Sequence, residues 1–159
     1  MKEHSISIKY FECKDSELSI DEQNCIHQAI EAAKKAYAPY SKFSVGAAVL
    51  MENGEIISAG NQENAAFPSG MCAERNALFY AKAKYPDTDI ICLAIVALTK
   101  SGDVQKEPVF PCGSCRQVIT ESTARNKNNF KLILHGSNKN LVWTNANDLL
   151  PFSFGPENL

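Results

Sequence analysis

Three cysteines and one glutamate stand out in this chain because their spacing fits a metal site that performs chemistry. Glu74 follows Cys72 by two residues, and Cys112 and Cys115 lie three residues apart after a proline. Three thiolates can fill three corners of a zinc tetrahedron and leave the fourth open for water. Glu74 is not needed as a ligand, so its carboxyl group is free to move protons at that water. The pattern therefore predicts a hydrolytic zinc site.

The all-thiolate donor set raises two physical difficulties. Three thiolates leave the zinc complex negatively charged, which opposes ionisation of the bound water. Arg75, directly after Glu74, is the candidate to donate hydrogen bonds to the cysteine ligands and withdraw charge from them. In addition, residues two apart on a helix point to nearly opposite sides. Cys72 and Glu74 can therefore face one metal only if Cys72 occupies the irregular first position of its helix.

Other interpretations of the cysteines stay open at this point. A lone Cys-x-x-Cys is about as often redox-active or incidental as it is metal-binding. Cys112 and Cys115 thus also fit a thiol redox protein, and a zinc-stabilised binding module without catalysis is a further alternative. A structural zinc site normally has four protein ligands, whereas the three histidines (His4, His27 and His135) stand elsewhere in the sequence. The glutamate two residues after the first thiol favours the catalytic interpretation.

Length, composition and charge exclude several classes of protein. With 159 residues, the chain is long enough for one domain with a substantial core. Its formal net charge of -2 argues against a protein that coats nucleic acid. The N-terminal stretch does not resemble a secretory signal, and no apolar run is long enough to span a bilayer. We therefore expect a cytoplasmic protein with reduced cysteines and with neither nucleic acid nor membrane as a partner.

Helices and strands are predicted to alternate along the chain. Ser19 is the expected N-cap of a first helix that ends before Pro39. Further helices are expected over Cys72 to Ala83 and Cys112 to Ser122, so both ligand groups lie at helix N-termini, where partial positive charge lowers thiol pKa values. This order predicts a three-layer α/β/α fold with a mixed central sheet of about five strands. Strands are expected at residues 43–50, 55–59, 90–98 and 130–135, with an edge strand at 6–11.

Several segments together resemble the small zinc-dependent cytidine deaminases of pyrimidine salvage. The zinc motifs match as Cys72-Ala73-Glu74-Arg75 and Pro111-Cys112-Gly113-Ser114-Cys115, and the resemblance runs from about Asp21 to the C-terminus. It implies a cytidine-deaminase-like fold and one zinc ion per subunit. It also implies hydrolysis of cytidine and 2′-deoxycytidine to uridine and 2′-deoxyuridine, with release of ammonia. The other matching segments are Pro39 to Ala48, Gly60 to Ala65 and Ser153 to Glu157.

The resemblance also implies roles in substrate binding. Asn61 and Glu63 match the pair that hydrogen-bonds the ribose 3′-hydroxyl, for which an amide and a carboxylate are chemically suited. Phe43 matches an aromatic residue beside the sugar and base. Phe154 matches a tail residue that packs against the base in a neighbouring subunit's site. The backbone around Cys72 is expected to contact the pyrimidine, together with Ala65 and Ala73.

The family resemblance implies a homotetramer whose active sites are completed by adjacent subunits, with a small nucleoside as substrate. We therefore expect a catalytic domain over residues 20–159 and an N-terminal extension over residues 1–19 without an assigned role. A blasticidin-type nucleoside antibiotic, a nucleotide and a tRNA adenosine remain alternative substrates. The last two favour basic residues near their phosphates, whereas the sugar-binding segment carries Glu63.

Overall fold

The protein structure, a computed structural model that describes residues 1–159, contains three α-helices and six strands. The helices are α1 (Ile20–Lys34), α2 (Ala73–Lys84) and α3 (Gly113–Ala124). The strands are β1 (Phe11–Cys13), β2 (Ser44–Met51), β3 (Ile56–Gly60), β4 (Ile90–Leu98), β5 (Lys131–His135) and β6 (Asn140–Trp143).

All six strands form one mixed sheet in the order β1-β6-β5-β4-β2-β3. Strands β4 and β5 are parallel, while the other neighbours are antiparallel. A parallel pair requires a crossover, which α3 provides. Helix α1 covers one face of the sheet, and α2 and α3 cover the other. The expected three-layer α/β/α architecture is therefore confirmed.

The expected strand count of about five is low by one, because the sequence patterns did not reveal β6. This four-residue strand follows β5 after a turn in which Gly136 N–H donates to the carbonyl of Lys139. The edge strand expected at residues 6–11 lies instead at Phe11–Cys13, where Phe11 pairs with Val142. Such a short strand has no register of its own, so its partner determines which residues pair.

Strand β4 is buried on both faces, as its continuous apolar sequence predicts. Leu93 and Ile95 pack beneath α2 and α3, whereas Ala94 and Val96 pack against α1. This alternation follows from the two-residue period of a strand. The face that α1 covers also requires Gly46 in β2, because a Cβ atom at this position would collide with the backbone of α1. The glycine thus permits the close packing of α1 on β2.

The start of α1 is fixed by a reciprocal capping box. Ser19 Oγ accepts a hydrogen bond from the Glu22 N–H, and the Glu22 carboxylate accepts one from the Ser19 N–H at 2.9 Å. Glu22 also forms an ion pair with Lys131 of β5. Burial raises the pKa of Glu22, but the hydrogen bonds from Lys131 and Ser19 outweigh this effect, so the net shift of the pKa is downward.

No helix has both the length and the apolar character needed to cross a membrane.

Candidate active site

The structure brings the three motif cysteines together, although they come from two separate segments of the chain. The Sγ atoms of Cys72, Cys112 and Cys115 all lie within 4.8 Å of one another. The Sγ atoms of Cys112 and Cys115 are 3.5 Å apart. Cys115 is buried, Cys72 is half-buried and Cys112 is exposed. The cluster is therefore accessible to solvent at Cys112.

Helix α2 resolves the geometric difficulty of placing Cys72 and Glu74 at one site. Cys72 is the N-cap of the helix and has an extended backbone (φ -69°, ψ 151°), so it stands outside the regular helical turn. Cys112 is likewise the N-cap of α3, with φ -67° and ψ 167°. Both helices therefore begin one residue later than expected. Their unpaired N-terminal N–H groups lie close to the sulfurs and favour negative charge there.

The pKa values of Cys72 and Cys115 are shifted in opposite directions. Hydrogen bonding from Cys115, with further contributions from Arg75 and Cys112, lowers the pKa of Cys72 to about 5 despite its partial burial. The same contact with Cys72, followed by burial, raises the pKa of Cys115. Cys72 is thus a thiolate at neutral pH, and a thiolate is the form of cysteine that binds metals.

This donor set fits zinc. Sulfur ligands at the usual Zn–S distance of about 2.3 Å lie about 3.8 Å apart in a tetrahedron. The Sγ atoms of Cys112 and Cys115, 3.5 Å apart, are close to this separation, and the other sulfur pairs lie within 4.8 Å. Three soft thiolate donors from a preorganised pair of helix ends favour zinc over hard cations, which prefer oxygen ligands. The sequence places no fourth cysteine or histidine next to the motif, and none joins this cluster.

Glu74 lies in the first turn of α2, beside the cysteines, and is only 5% exposed. Burial raises its pKa, and the nearby Cys72 thiolate raises it further, while the contact with Cys115 opposes the shift. A carboxyl group with a raised pKa exchanges protons more readily near neutral pH than an ordinary glutamate does. Glu74 therefore has the surroundings of a general acid and base.

Arg75 brings positive charge to the sulfurs. Its Nη2 donates a hydrogen bond to Cys72 Sγ at 3.8 Å, and its Nε is buried without a hydrogen-bond partner. This contact raises the pKa of Arg75, so the guanidinium stays charged. The charge lies where it offsets part of the negative charge of the thiolates.

A second group of expected site residues lies on the loop between β3 and α2. Asn61 Nδ2 donates to the carbonyl of Phe43 at 3.0 Å, and its Oδ1 accepts from the N–H of Val45 at 2.8 Å. Glu63 accepts hydrogen bonds from the N–H of Tyr40 at 2.9 Å and from the N–H and hydroxyl of Ser41. These contacts lower the pKa of Glu63, and the hydrogen bond from the Ser41 side chain has the largest effect.

The two groups are joined where β3 meets α2. Asn76 in the first turns of α2 donates from Nδ2 to the carbonyl of Gly60 at 3.1 Å. Gly60 precedes Asn61, so this bond holds the loop next to the helix that carries Glu74 and Arg75. Asn76 belongs to the matching zinc segment, although its type and position did not single it out.

The remaining expected residues differ in their surroundings. Phe43 is 39% exposed and lies directly before β2, next to the loop held by Asn61 and Glu63. Ala73 is fully buried at the start of α2, and Ala65 is exposed. Phe154 is 60% exposed in the tail. The Phe154 ring is therefore not part of the core of its own chain.

Two residues of α3 were missed as contributors to the site. Arg116 Nε donates to the carbonyl of Pro111 at 3.0 Å. Gln117 Nε2 donates to the carbonyl of Phe154 at 2.8 Å. Both stand within the segment that follows Cys115, but their partners are fixed only by the fold.

Comparison with known proteins agrees with this site. Residues 19–129 match the protein family described as the cytidine and deoxycytidylate deaminase zinc-binding region. The chain is 39% identical over 140 residues to a cytidine deaminase of Halalkalibacterium halodurans, and this match covers 88% of the chain and 98% of that protein. It is 33% identical over 136 residues to a cytidine deaminase of Mycobacterium tuberculosis, covering 82% and 87%, respectively.

Solved structures show the same similarity. The crystal structure of cytidine deaminase from Burkholderia pseudomallei has a TM-score of 0.68 and 37% sequence identity, covering 82% of this chain and 97% of that chain. The cytidine deaminase structure from Mycobacterium tuberculosis has a TM-score of 0.64 and 30% identity, covering 86% and 99%.

Proposed function

Because this chain belongs to the zinc-binding cytidine and deoxycytidylate deaminase family, we propose that it hydrolyses cytidine and 2′-deoxycytidine to uridine and 2′-deoxyuridine. The reaction breaks a C–N bond and releases ammonia. The observation that carries this proposal is the convergence of three cysteine sulfurs beside a buried glutamate at two helix N-termini. Relatives named cytidine deaminase, which align over most of the chain, support this substrate.

The expected zinc cofactor is confirmed by the family match and by the cysteine cluster. We propose one ion per chain, held by Cys72, Cys112 and Cys115. When bound, zinc would lower the pKa of a water molecule to about 7 and so supply a nucleophile at neutral pH. The N-terminal ends of α2 and α3 favour the anionic form of the sulfurs, which is the form that binds the ion.

Glu74 transfers the protons of the reaction. Its carboxylate accepts a proton from the attacking water, and the resulting carboxylic acid donates that proton to N3 of the cytosine ring. After water oxygen has bonded to C4, Glu74 carries the remaining hydroxyl proton to the amino group, which leaves as ammonia. Burial of Glu74 suits this exchange, because it brings the pKa of the carboxyl group closer to neutrality.

Arg75 tunes the charge of the site rather than touching the substrate. Its guanidinium, hydrogen-bonded to Cys72 Sγ, draws negative charge away from that sulfur. This contact favours deprotonation of the attacking water, which an unrelieved set of three thiolates opposes.

Asn61 and Glu63 recognise the ribose 3′-hydroxyl in this proposal. Their side chains hold the segment from Tyr40 to Val45, so they place Phe43 beside the sugar and base. The carboxylate of Glu63 can accept from a neutral hydroxyl group, but it repels a phosphate. The backbone around Ala65, Cys72 and Ala73 completes the contacts with the pyrimidine.

We further propose that the protein works as a homotetramer, with Phe154 of one subunit packing against the base in a neighbouring site. The support is the exposure of several aromatic side chains, which is typical of surfaces that associate. We assign residues 20–159 to the catalytic domain and residues 1–19 to an extension. A reducing cytoplasm is the expected location, because the three ligand thiols must stay reduced.

The proposal is tested by measuring zinc content and ammonia release with four substrates side by side: cytidine, deoxycytidine, deoxycytidine monophosphate and blasticidin S. We expect turnover of the two nucleosides and about one zinc per chain. Preference for blasticidin S or for the monophosphate would overturn the substrate assignment. Zinc binding without turnover of any of them would favour a binding module.

A further inference from the structure

The N-terminal extension is bound to the edge of the sheet by several independent contacts. Strand β1 pairs with β6, and Cys13 lies opposite Asn140. Lys139 Nζ binds the carboxylate of Glu12 at 2.9 Å. Asn140 Nδ2 donates to the Asp15 carboxylate at 2.7 Å. These contacts fix the extension up to the start of α1.

An aromatic contact continues this pairing toward the zinc ligands. The rings of Tyr10 and Trp143 are stacked, with centroids 5.1 Å apart and planes inclined by 22°. Phe110 approaches the same Trp143 ring edge-on, at 6.3 Å and 77°. Phe110 stands two residues before Cys112. Trp143 therefore lies between the extension and the segment that carries a zinc ligand.

The ligand segment depends on such packing because residues 108–112 belong to no helix or strand. Its other support is Arg116 of α3, which donates to the carbonyl of Pro111 and, from Nη1, to the carbonyl of Leu149 at 3.4 Å. Leu149 and Trp143 belong to one buried apolar cluster. The ligand segment and the start of the tail are thus held by the same group of side chains.

The extension also borders the C-terminal tail. Residues 6–8 line a cleft of about 290 Å³ together with Asn147, Asp148 and residues 150–153. Gln117 of α3 donates to the carbonyl of Phe154. The tail that carries Phe154 is therefore bordered by the extension and by α3.

We infer that residues 6–15, which we call the strap, position the Pro111–Cys115 ligand segment through the Tyr10–Trp143 contact, and the tail that carries Phe154 through the cleft that residues 6–8 share with it. The strap contains none of the three cysteine ligands, so it acts as a positioning element. The inference rests on the proposed function for its kinetic readout alone.

The test compares Tyr10→Ala with Tyr10→Phe, which keeps the ring, and with Ile20→Ala at an exposed position of α1. Trp143 is the only tryptophan of the chain, so its fluorescence reports the contact directly. The second measurement is the rate at which the purified holoenzyme releases zinc to a colorimetric chelator. The third is KM and kcat with cytidine.

For Tyr10→Ala we expect Trp143 emission at longer wavelength, zinc release about two- to tenfold faster and a comparable fall in kcat/KM, as the loss of one aromatic pair implies. Tyr10→Phe and Ile20→Ala should match the wild type. An unchanged emission, or a shifted emission with unchanged zinc release, would overturn the inference. If the wild type does not deaminate cytidine, the proposed function fails, while fluorescence and zinc release still decide the role of the strap.

Discussion

Gln62 and Met71 exchange two backbone hydrogen bonds, of 2.9 and 2.8 Å, across the loop between β3 and α2. Gln62 stands between Asn61 and Glu63, and Met71 stands directly before Cys72. The bridge therefore holds the proposed sugar-binding pair at a set distance from Cys72, the proposed zinc ligand. This distance would select the nucleoside conformation in which the 3′-hydroxyl and C4 reach their partners together.

Replacing Glu63 by alanine should reduce discrimination for the 3′-hydroxyl. The wild type is expected to favour deoxycytidine over 2′,3′-dideoxycytidine by about 10- to 100-fold in kcat/KM, because a hydrogen bond to a charged group is worth about 1.5–3 kcal/mol. Glu63→Ala should show a much smaller preference, which Asn61 alone then provides. Steady-state kinetics measures this ratio, and Glu55→Ala, in the exposed hairpin, provides the charge-matched control. A preserved preference in Glu63→Ala would contradict the assigned contact.

Glu74→Gln should bind zinc but lose nearly all turnover. Glutamine keeps the size of the side chain and cannot shuttle protons, so the loss should reach at least about 10²- to 10⁴-fold. Metal analysis and ammonia release on one preparation separate the two effects. Glu121→Gln on α3 serves as the control for removal of a carboxylate. Substantial turnover by the Glu74 variant would refute its role.

Arg75→Gln should shift the acidic limb of the pH–rate profile toward higher pH. The guanidinium next to Cys72 favours the deprotonated states of the site, so its removal makes deprotonation harder. The profile of kcat/KM against pH measures the shift, with zinc content checked at each pH. Arg125→Gln provides the control, because Arg125 lies at the C-terminal end of α3, whereas Cys112 lies at its N-terminus. This variant should leave the pH–rate profile unchanged. An unshifted profile with full zinc in Arg75→Gln would exclude the proposed effect on charge.

The ion pair between Glu22 and Lys131 should make stability depend on pH in the acidic range. The folded-state pKa of Glu22 is lowered from its ordinary value of 4.5, so the stabilisation is present above that value and is lost as the pH falls through the folded-state pKa. Glu22→Gln should cost about 1 kcal/mol or less near pH 7, since Lys131 is partly exposed.

Urea unfolding at several pH values measures this difference between Glu22→Gln and the wild type. The gap between the free energies of unfolding of the two proteins should narrow as the pH falls below 4.5. Glu31→Gln removes an exposed pair with Lys34 and should show little effect at any pH. A gap that stays constant with pH would show that Glu22 contributes through packing instead of charge.

Much of the fold follows from local sequence signals. Ser19 and Glu22 form the capping box that such spacing favours, and the apolar run over residues 90–98 is the central strand. Strand β6 escaped these signals because Asn140, a residue of low strand propensity, begins it. That fully buried amide is satisfied by His135 and Asp15, which lie elsewhere in the sequence.

The cysteine cluster that could hold a metal ion was predictable for a different reason. The chemistry of the ion dictates the residue types and spacing, so three cysteines and a glutamate can be recognised from the sequence alone. The roles of Arg116 and Gln117 were not predictable. These side chains donate to the carbonyl groups of Leu149 and Phe154, which lie 33 and 37 residues further along the chain. Backbone acceptors carry no sequence signature.

The position of β4 between β2 and β5 determines when the catalytic centre can be assembled during folding. Cys72 precedes this strand and Cys112 follows it, so their sulfurs belong to segments that the strand separates along the chain. We therefore expect metal capture to follow formation of the middle of the sheet, unlike the case of small zinc fingers, in which the ion drives folding. Refolding with a chelator present should restore the far-ultraviolet circular dichroism first, and deaminase activity only after zinc is added.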